Sequence, residues 1–278
     1  VALSSLLGAG DHAIVTWPTY QSLEEIARGA GAEVSRWELR ESNQWMPDLD
    51  ELRGLIRPGT RLIVVNFPHN PTGVLPDPAV WKEIIAIARQ CGAWLFSDEV
   101  YRGLEYDPAE RLPAAVDSYE RGLSLGVMSK AYALAGLRIG WIACRDAATR
   151  TRMATRKDWT TICSSAPSEV LALMGLRAHD RILERNFDII RGNLLHLDRF
   201  FMRHGDRMRW VKPRAGCIAF PRLEGEPIDP FSARLVEREG VLLLPGSTYG
   251  HSGNNFRIGF GRRNMPEALE RLERFMQA

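Results

Sequence analysis

The chain has 278 residues, of which 25% are charged and 45% are hydrophobic, and its formal net charge is +2. This balance is ordinary for a globular protein and lacks the basic excess of a nucleic-acid-binding protein. No apolar stretch reaches the roughly 18 residues that a membrane-spanning helix needs. We therefore expect neither nucleic acid nor a membrane as a partner. The six histidines show no metal-ligand spacing, so no metal site is expected.

Short apolar runs alternate with helical patterns from the start of the chain to about residue 145. The pattern predicts helices at 21–31, 48–56 and 77–92, and strands at 12–17, 32–39, 61–67, 93–101, 123–128 and 138–144. The helix at 77–92 has the clearest limits, because proline lies in its first turn and glycine at its end. Continuous apolar strands between helices predict an α/β fold with a mainly parallel sheet sandwiched by helices.

The pattern changes after residue 145. Helices are predicted at 167–178, 180–204, 230–239 and 265–277, with short β-like pieces between them. This arrangement is typical of a smaller α+β domain attached through a long helix. We place the domain boundary near residue 175, which gives a large domain of residues 1–175 and a small C-terminal domain of residues 176–278.

Four cysteines, Cys91, Cys144, Cys163 and Cys217, form no C-x-x-C pair, and each lies in or near an apolar run. We expect buried free thiols, which are typical of a reducing, cytoplasmic compartment.

Polar residues stand at or just past the ends of four predicted strands: Tyr20, Asn70, Asp98 and Lys130. Open α/β sheets bind ligands in the crevice at the carboxyl ends of their strands. Four polar groups delivered to that edge exceed what a purely structural sheet requires, so we expect a ligand site there.

Lys130 is unusual in a chain that has 36 Lys and Arg residues in total but only four lysines, the others being Lys82, Lys157 and Lys212. A lysine can lose its proton and attack a carbonyl, whereas arginine stays charged. Taken alone, a lysine at a strand end is most often a solvated charge.

The other candidates also have structural explanations when each is considered alone. Asp98, inside an apolar strand, fits a cap or a salt bridge, because a buried carboxylate is costly unless paired. "NFPHNPTG" at 66–73 fits a simple turn, and Arg257 fits an ordinary strand arginine. His69 and His251 are expected at the surface.

The order of the motifs is more specific than any one of them. N-x-P-x-N-P-T-G (66–73), S-D-E-x-Y (97–101), S-K (129–130), an arginine eight residues after the lysine, and F-R-I (256–258) follow one another. This set resembles the aspartate aminotransferase superfamily of fold type I pyridoxal-phosphate enzymes over essentially the whole chain. The resemblance implies a seven-stranded-type sheet, pyridoxal 5'-phosphate as cofactor, and a homodimer with active sites at the subunit interface. It also implies that an N-terminal part with a glycine-rich phosphate loop is missing.

The resemblance assigns roles to matching residues. Lys130 would form the internal aldimine and then move the substrate Cα proton. Asp98 would face the pyridine nitrogen and keep it protonated. Tyr101 and Asn70 would donate to the ring's phenolic oxygen, and Tyr20 would stack on the ring face.

Further roles concern the phosphate and the substrate. Arg138 would grip the cofactor phosphate. Arg257 and Asn70 would bind the substrate, with Arg257 holding its α-carboxylate by a bidentate grip. One departure weakens the phosphate site: Val127 stands where many relatives have a polar ligand. Ser129 is the nearby residue that can replace it.

The function favoured is a class I/II aminotransferase that acts on an amino acid and a 2-oxo acid. Two alternatives stay open. One is a pyridoxal-phosphate lyase, cyclase or decarboxylase on the same scaffold. The stretches at 125–141 and 158–169 point to it, because they resemble amino-acid-modifying enzymes of secondary metabolism. The other is the aminotransferase-like effector domain of a GntR-type transcription regulator.

Overall fold

The computed structural model describes residues 1–277. Its α-helices are α1 (Ala2–Leu6), α2 (Gln21–Gly29), α3 (Leu49–Leu55), α4 (Pro78–Cys91), α5 (Ala115–Ser118), α6 (Ala147–Thr160), α7 (Ala166–Arg177), α8 (His179–Arg203), α9 (Ile228–Glu239) and α10 (Met265–Gln277). Its strands are β1 (His12–Trp17), β2 (Glu33–Glu38), β3 (Thr60–Asn66), β4 (Trp94–Asp98), β5 (Gly122–Val127), β6 (Gly140–Cys144), β7 (Met208–Arg209), β8 (Ile218–Ala219), β9 (Arg222–Leu223), β10 (Leu244–Pro245) and β11 (Phe256–Gly259).

The main sheet has the strand order β2-β1-β3-β4-β5-β6. Strands β1 to β5 pair in parallel, and β6 runs antiparallel to β5. Strand β3 is buried at six of its seven positions, because helices cover both faces of the sheet. The predicted α/β class and the mainly parallel sheet are confirmed. In residues 1–277 this sheet has six strands, one fewer than the resemblance implies.

A second sheet, with the order β10-β11-β8, carries Arg257 on β11. Its residues pack with the long helix α8 and with α9 and α10 in one hydrophobic core. Tyr101 and Ala131, which lie at the carboxyl ends of β4 and β5, belong to the same core. The C-terminal elements are therefore packed directly against the edge of the main sheet that bears the polar strand ends.

The sequence analysis missed helix α6. The sequence signal for its start is Asp146, a residue type that favours helix N-caps. In the structure Asp146 caps the helix by accepting a hydrogen bond from the Thr149 N–H at 2.6 Å. Four buried thiols were expected, but Cys144 alone of the four is fully buried: Cys91 and Cys217 are half-buried, and Cys163 is exposed. No helix among the described residues is long and apolar enough to cross a membrane.

Candidate active site at the carboxyl edge of the sheet

Asn66, the last residue of β3, links two of the predicted site residues. Its Nδ2 donates a hydrogen bond to the Asp98 backbone carbonyl at 2.8 Å, and its Oδ1 accepts one from the Asn70 N–H at 2.8 Å. Asn66 is 1% exposed, so these bonds do not compete with water. The sequence analysis gave Asn66 no role, although a polar residue at the end of the apolar run "RLIVV" was a usable signal.

Asp98 ends β4 as a buried carboxylate. Within residues 1–277 its side chain accepts one hydrogen bond, from the Val100 N–H to Oδ1 at 3.2 Å, and forms no ion pair closer than 4.0 Å. Burial raises the pKa of Asp98 to about 6, while the Val100 N–H and the charge of Lys130 act in the opposite direction. The carboxylate therefore has unused capacity to accept a hydrogen bond from a cationic donor.

Glu99 is also buried but differs from Asp98 in the number of hydrogen bonds that its carboxylate accepts. Its Oε1 accepts hydrogen bonds from the Ala115 N–H at 2.9 Å and from the Ser124 hydroxyl at 2.7 Å. Burial raises its pKa too, and these bonds oppose the rise. Glu99 therefore anchors α5 to the sheet and is satisfied within the fold.

Lys130 brings an amine to the same place. It lies just past the end of β5, and its side chain is exposed. Its Nζ is 5.9 Å from the ring centroid of Tyr101, which is 3% exposed. Burial raises the pKa of the Tyr101 phenol well above its ordinary value, so this group stays a hydrogen-bond donor at neutral pH.

The loop that carries Lys130 joins β5 to β6 and also carries Arg138. Two backbone hydrogen bonds close it, from the Met128 N–H to the Ile139 carbonyl at 3.0 Å and from the Leu134 N–H to the Met128 carbonyl at 2.9 Å. Arg138 has a φ of 55°, a left-handed conformation that is uncommon outside glycine. Its Nη1 donates to the Ala135 carbonyl at 3.1 Å, and the residue is exposed.

Two further predicted residues lie on or beside this loop. Ser129, half-buried, directly precedes the lysine. Val127 is the last residue of β5 and pairs with Gly140 of β6.

Arg257 reaches the Asn-Pro turn from the second sheet. Its Nη1 donates a hydrogen bond to Asn70 Oδ1 at 3.2 Å, and Asn70 is 6% exposed. Tyr20 is 51% exposed and stands at the rim, where the neighbouring Gln21 side chain donates to the Thr248 carbonyl. The structure thus brings Asn70, Asp98, Tyr101, Lys130 and Arg257 to one edge.

The expectation that His69 lies at the surface is wrong. The residue is 0% exposed, its Nδ1 lies 2.8 Å from the Thr72 hydroxyl, and burial lowers its pKa to about 3. It is a neutral core histidine that supports the turn bearing Asn70. His251 is half-buried and stacks on Trp17, with 5.3 Å between the ring centroids.

Sequence reasoning also missed two residues near Arg257. The Tyr249 hydroxyl lies 3.5 Å from Asn70 Oδ1. Cys217 accepts a hydrogen bond from the Phe260 N–H at 2.9 Å through its carbonyl, and burial raises the pKa of its thiol, while the charges of Lys130 and Arg257 oppose that rise. Neither residue stands in a motif that the sequence analysis quoted.

The sequence profile of the family described as aminotransferase class I and II matches residues 1–272. The chain belongs to this family. It is 33% identical to capreomycidine synthase from Streptomyces vinaceus over 252 residues, which cover 90% of this chain but only 64% of the relative's length.

Two solved structures are similar along the whole chain. A pyridoxal-phosphate-dependent aminotransferase from Streptococcus suis has a TM-score of 0.94 and 34% identity, with 99% of this chain and 73% of that one covered. The pyridoxal-phosphate-dependent cyclase OrfR has a TM-score of 0.90 and 30% identity, with 99% and 74% covered. Membership of the family implies pyridoxal 5'-phosphate as the cofactor.

The residues present fit this cofactor. The buried Asp98 carboxylate, with its single hydrogen bond, can accept a bond from a protonated ring nitrogen. A primary amine (Lys130), a phenol (Tyr101) and an amide (Asn70) converge beside it, which is the donor set that an aromatic aldehyde with a phenolic oxygen requires. The exposed Arg138 guanidinium on the lysine loop suits a phosphate.

Proposed function

We propose that the protein transfers an amino group between an amino acid and a 2-oxo acid with pyridoxal 5'-phosphate as cofactor. The observation that carries the proposal is that the Lys130 amine, the buried Asp98 carboxylate and the Asn70-bonded Arg257 lie at one edge of the sheet. When bound, the cofactor supplies an electron sink for the electron pair left at the substrate Cα.

Lys130 is the residue that holds the cofactor covalently and moves a proton at the substrate Cα. Its exposed side chain has the freedom that both tasks need. The Nζ must be neutral to act as nucleophile or base. Lysine can meet this need, whereas arginine cannot.

Asp98 holds the ring nitrogen in its protonated form, because the buried carboxylate gains most from a cationic partner. Tyr101 and Asn70 donate to the phenolic oxygen, and Tyr20 covers the ring face from the rim. Arg138, with Ser129 in place of a ligand at Val127, binds the phosphate.

Arg257 binds the substrate α-carboxylate and Asn70 lies beside it. The planar guanidinium can hold both carboxylate oxygens, which orients the Cα–H bond toward the lysine amine. Arg257 is already in place, since its Nη1 is hydrogen-bonded to Asn70.

A lyase or cyclase reaction is the second candidate function. It is favoured by the 33% identity to capreomycidine synthase and the 30% identity to the cyclase OrfR. The residues above serve this chemistry as well, because both reactions begin with loss of a group from the same Cα.

The test is a screen of amino donors on the cofactor-loaded full-length protein, with the cofactor absorbance and the products followed together. Transamination converts the cofactor to its amine form and releases one equivalent of 2-oxo acid. Unchanged cofactor with a cyclised or eliminated product assigns the second candidate. No product from any donor contradicts both, and Lys130→Ala is the negative control.

The assembly we propose is a homodimer. Several large apolar side chains on α6, α7 and the segment between them are exposed: Trp159, Ile162, Val170, Leu171, Leu173, Met174 and Leu176. An apolar patch of this kind marks an interaction surface. Val170→Glu with Met174→Glu is expected to shift the sedimentation coefficient from dimer to monomer. A wild-type protein that sediments as an active monomer contradicts the assignment.

Two further assignments complete the proposal. We divide the chain into a large domain and a small domain near residue 175, and limited proteolysis there tests the division.

A cytoplasmic location is supported by the four free cysteines, which a reducing compartment preserves. Cell fractionation tests it.

A further inference from the structure

We infer that Tyr249 is a positioning residue that keeps the Asn70 amide oriented for the cofactor when substrate engages Arg257. The inference rests on the proposed function, because it concerns the same site. It adds a residue that lies outside every motif by which the family was identified in the sequence.

Tyr249, Asn70 and Arg257 form a closed group of contacts. The Tyr249 hydroxyl donates to Asn70 Oδ1 at 3.5 Å, and Arg257 Nη1 donates to the same oxygen at 3.2 Å. The Arg257 guanidinium carbon lies 5.9 Å from the centroid of the Tyr249 ring. All three side chains therefore depend on one another for their positions.

The two donors decide which way the Asn70 amide faces. An asparagine amide has an acceptor end, Oδ1, and a donor end, Nδ2. With two donors directed at Oδ1, the Nδ2 end is turned away from them and is free to donate elsewhere. A flipped amide would place Nδ2 against a guanidinium and a hydroxyl proton and would leave a buried polar group unsatisfied.

Binding of a substrate carboxylate changes the balance between these donors. The guanidinium has five N–H groups in a fixed fork, and a bidentate carboxylate draws two of them. Arg257 then shares or gives up its bond to Asn70. The Tyr249 hydroxyl keeps its bond to Asn70, because a neutral phenol has no charge to attract the carboxylate and no fork of donors to hold it. Burial raises the pKa of Tyr249, so the hydroxyl stays protonated.

Tyr249 itself is held rigidly. It ends a short 3-10 helix, Gly246–Tyr249, which is closed by hydrogen bonds from the Gly246 N–H to the Asn255 carbonyl at 2.7 Å and from the His251 N–H to the Gly246 carbonyl at 3.0 Å. The Tyr249 ring meets the edge of Phe220 at a centroid distance of 5.9 Å and is 7% exposed. The ring is therefore held in place with its hydroxyl on the side of Asn70.

The test is a pH titration of the cofactor absorbance in wild type and Tyr249→Phe, each loaded with pyridoxal phosphate, with and without saturating propanoate as the carboxylate probe. A hydrogen-bond donor at the cofactor's phenolic oxygen stabilises the deprotonated, anionic form of the cofactor. Loss of that donor therefore raises the pH midpoint of the absorbance change. We expect Tyr249→Phe to raise the midpoint by about 0.5 to 1 unit with propanoate and by less without it.

Two comparisons separate positioning from packing. In an Asn70→Ala background the shift caused by Tyr249→Phe is expected to disappear, because the hydroxyl then has nothing to position. Tyr119→Phe removes another buried hydroxyl, which donates to the Ala88 and Ala93 carbonyls at a distant place, and is expected to leave the midpoint unchanged.

An equal midpoint in wild type and loaded Tyr249→Phe, with and without propanoate, overturns the inference and leaves the proposed function standing. A shift that persists in the Asn70→Ala background also overturns it. A wild-type protein that acquires no cofactor absorbance overturns the proposed function, and the inference falls with it.

Discussion

The two halves of the site differ in burial. Asp98, Asn70 and Tyr101 are 5%, 6% and 3% exposed, whereas Lys130 and Arg138 are exposed on the loop between β5 and β6. The buried half is fixed by short bonds to the backbone through Asn66, and its charge is costly enough to raise the pKa of Asp98 to about 6. Groups that set a charge or an orientation are thus held in the fold, and groups that must move or receive a ligand project from it.

The largest effect is expected on the exposed half. Lys130→Arg keeps the positive charge but removes the amine that can become neutral, so turnover should fall by about 10³-fold or more. The measurement is the amino-transfer rate of the purified variant with excess cofactor. Lys82→Arg, on the exposed face of α4, is the matched control and should keep full activity. Appreciable turnover by Lys130→Arg would show that another group does this work.

The next effect concerns the buried half. Asp98→Asn keeps the volume of the side chain but removes the charge that keeps the ring nitrogen protonated, so the rate should fall on the order of 10²-fold. Proton removal from Cα should then limit the rate, which a deuterium isotope effect at Cα reveals.

Glu99→Gln is the comparison for Asp98→Asn, because its hydrogen bonds from Ala115 and Ser124 satisfy it within the fold. It should keep the rate within a few-fold. Equal losses from Asp98→Asn and Glu99→Gln would mean that the Asp98 carboxylate has only a structural role.

Arg257→Lys tests the link between the two sheets. A lysine keeps the charge but cannot hold a carboxylate with two parallel bonds, so KM for the donor should rise by about 10-fold with a smaller change in kcat. Arg262→Lys, at an exposed position on the same segment, serves as the control. If KM did not change, the substrate carboxylate would have to bind elsewhere.

The last effect concerns stability, not rate, and appears in the cofactor-free protein. Because the folded pKa of Asp98 is about 6, above its ordinary 3.8, the fold is favoured by protonation and loses stability as pH rises from about 4 to 6. At pH 7 Asp98→Asn should therefore raise the free energy of unfolding by up to about 3 kcal/mol, and the gain should vanish near pH 4. Denaturant unfolding at both pH values measures this, and a gain that is the same at pH 4 and pH 7 would contradict it.

Much of the fold could be predicted from the sequence, because the apolar strands and capped helices of residues 12–144 have strong local signals. Strand β1 has the predicted limits, whereas β4 ends at Asp98 instead of at 101. Helix α6 buries only Thr149 and Met153, so apolar periodicity does not reveal it, and its local signal is the cap at Asp146.

The site was predictable only in part. Its members in ordered motifs could be named, whereas Asn66 and Tyr249 act through contacts that depend on distant pairing: β3 with β4, and the 246–249 turn with residue 70. The burial of His69 likewise follows from tertiary packing, which no local pattern around it reveals.

The central claim is that Lys130 carries the cofactor, and reductive labelling tests it most directly. Borohydride fixes the link between pyridoxal phosphate and the amine that holds it, and peptide mass spectrometry of the digested protein locates the modified residue. The account predicts one modified residue, Lys130, in the peptide that contains "GVMSKAYALAGLR". A label on Lys82, Lys157 or Lys212 instead, or a loaded protein with no labelled lysine, would contradict it.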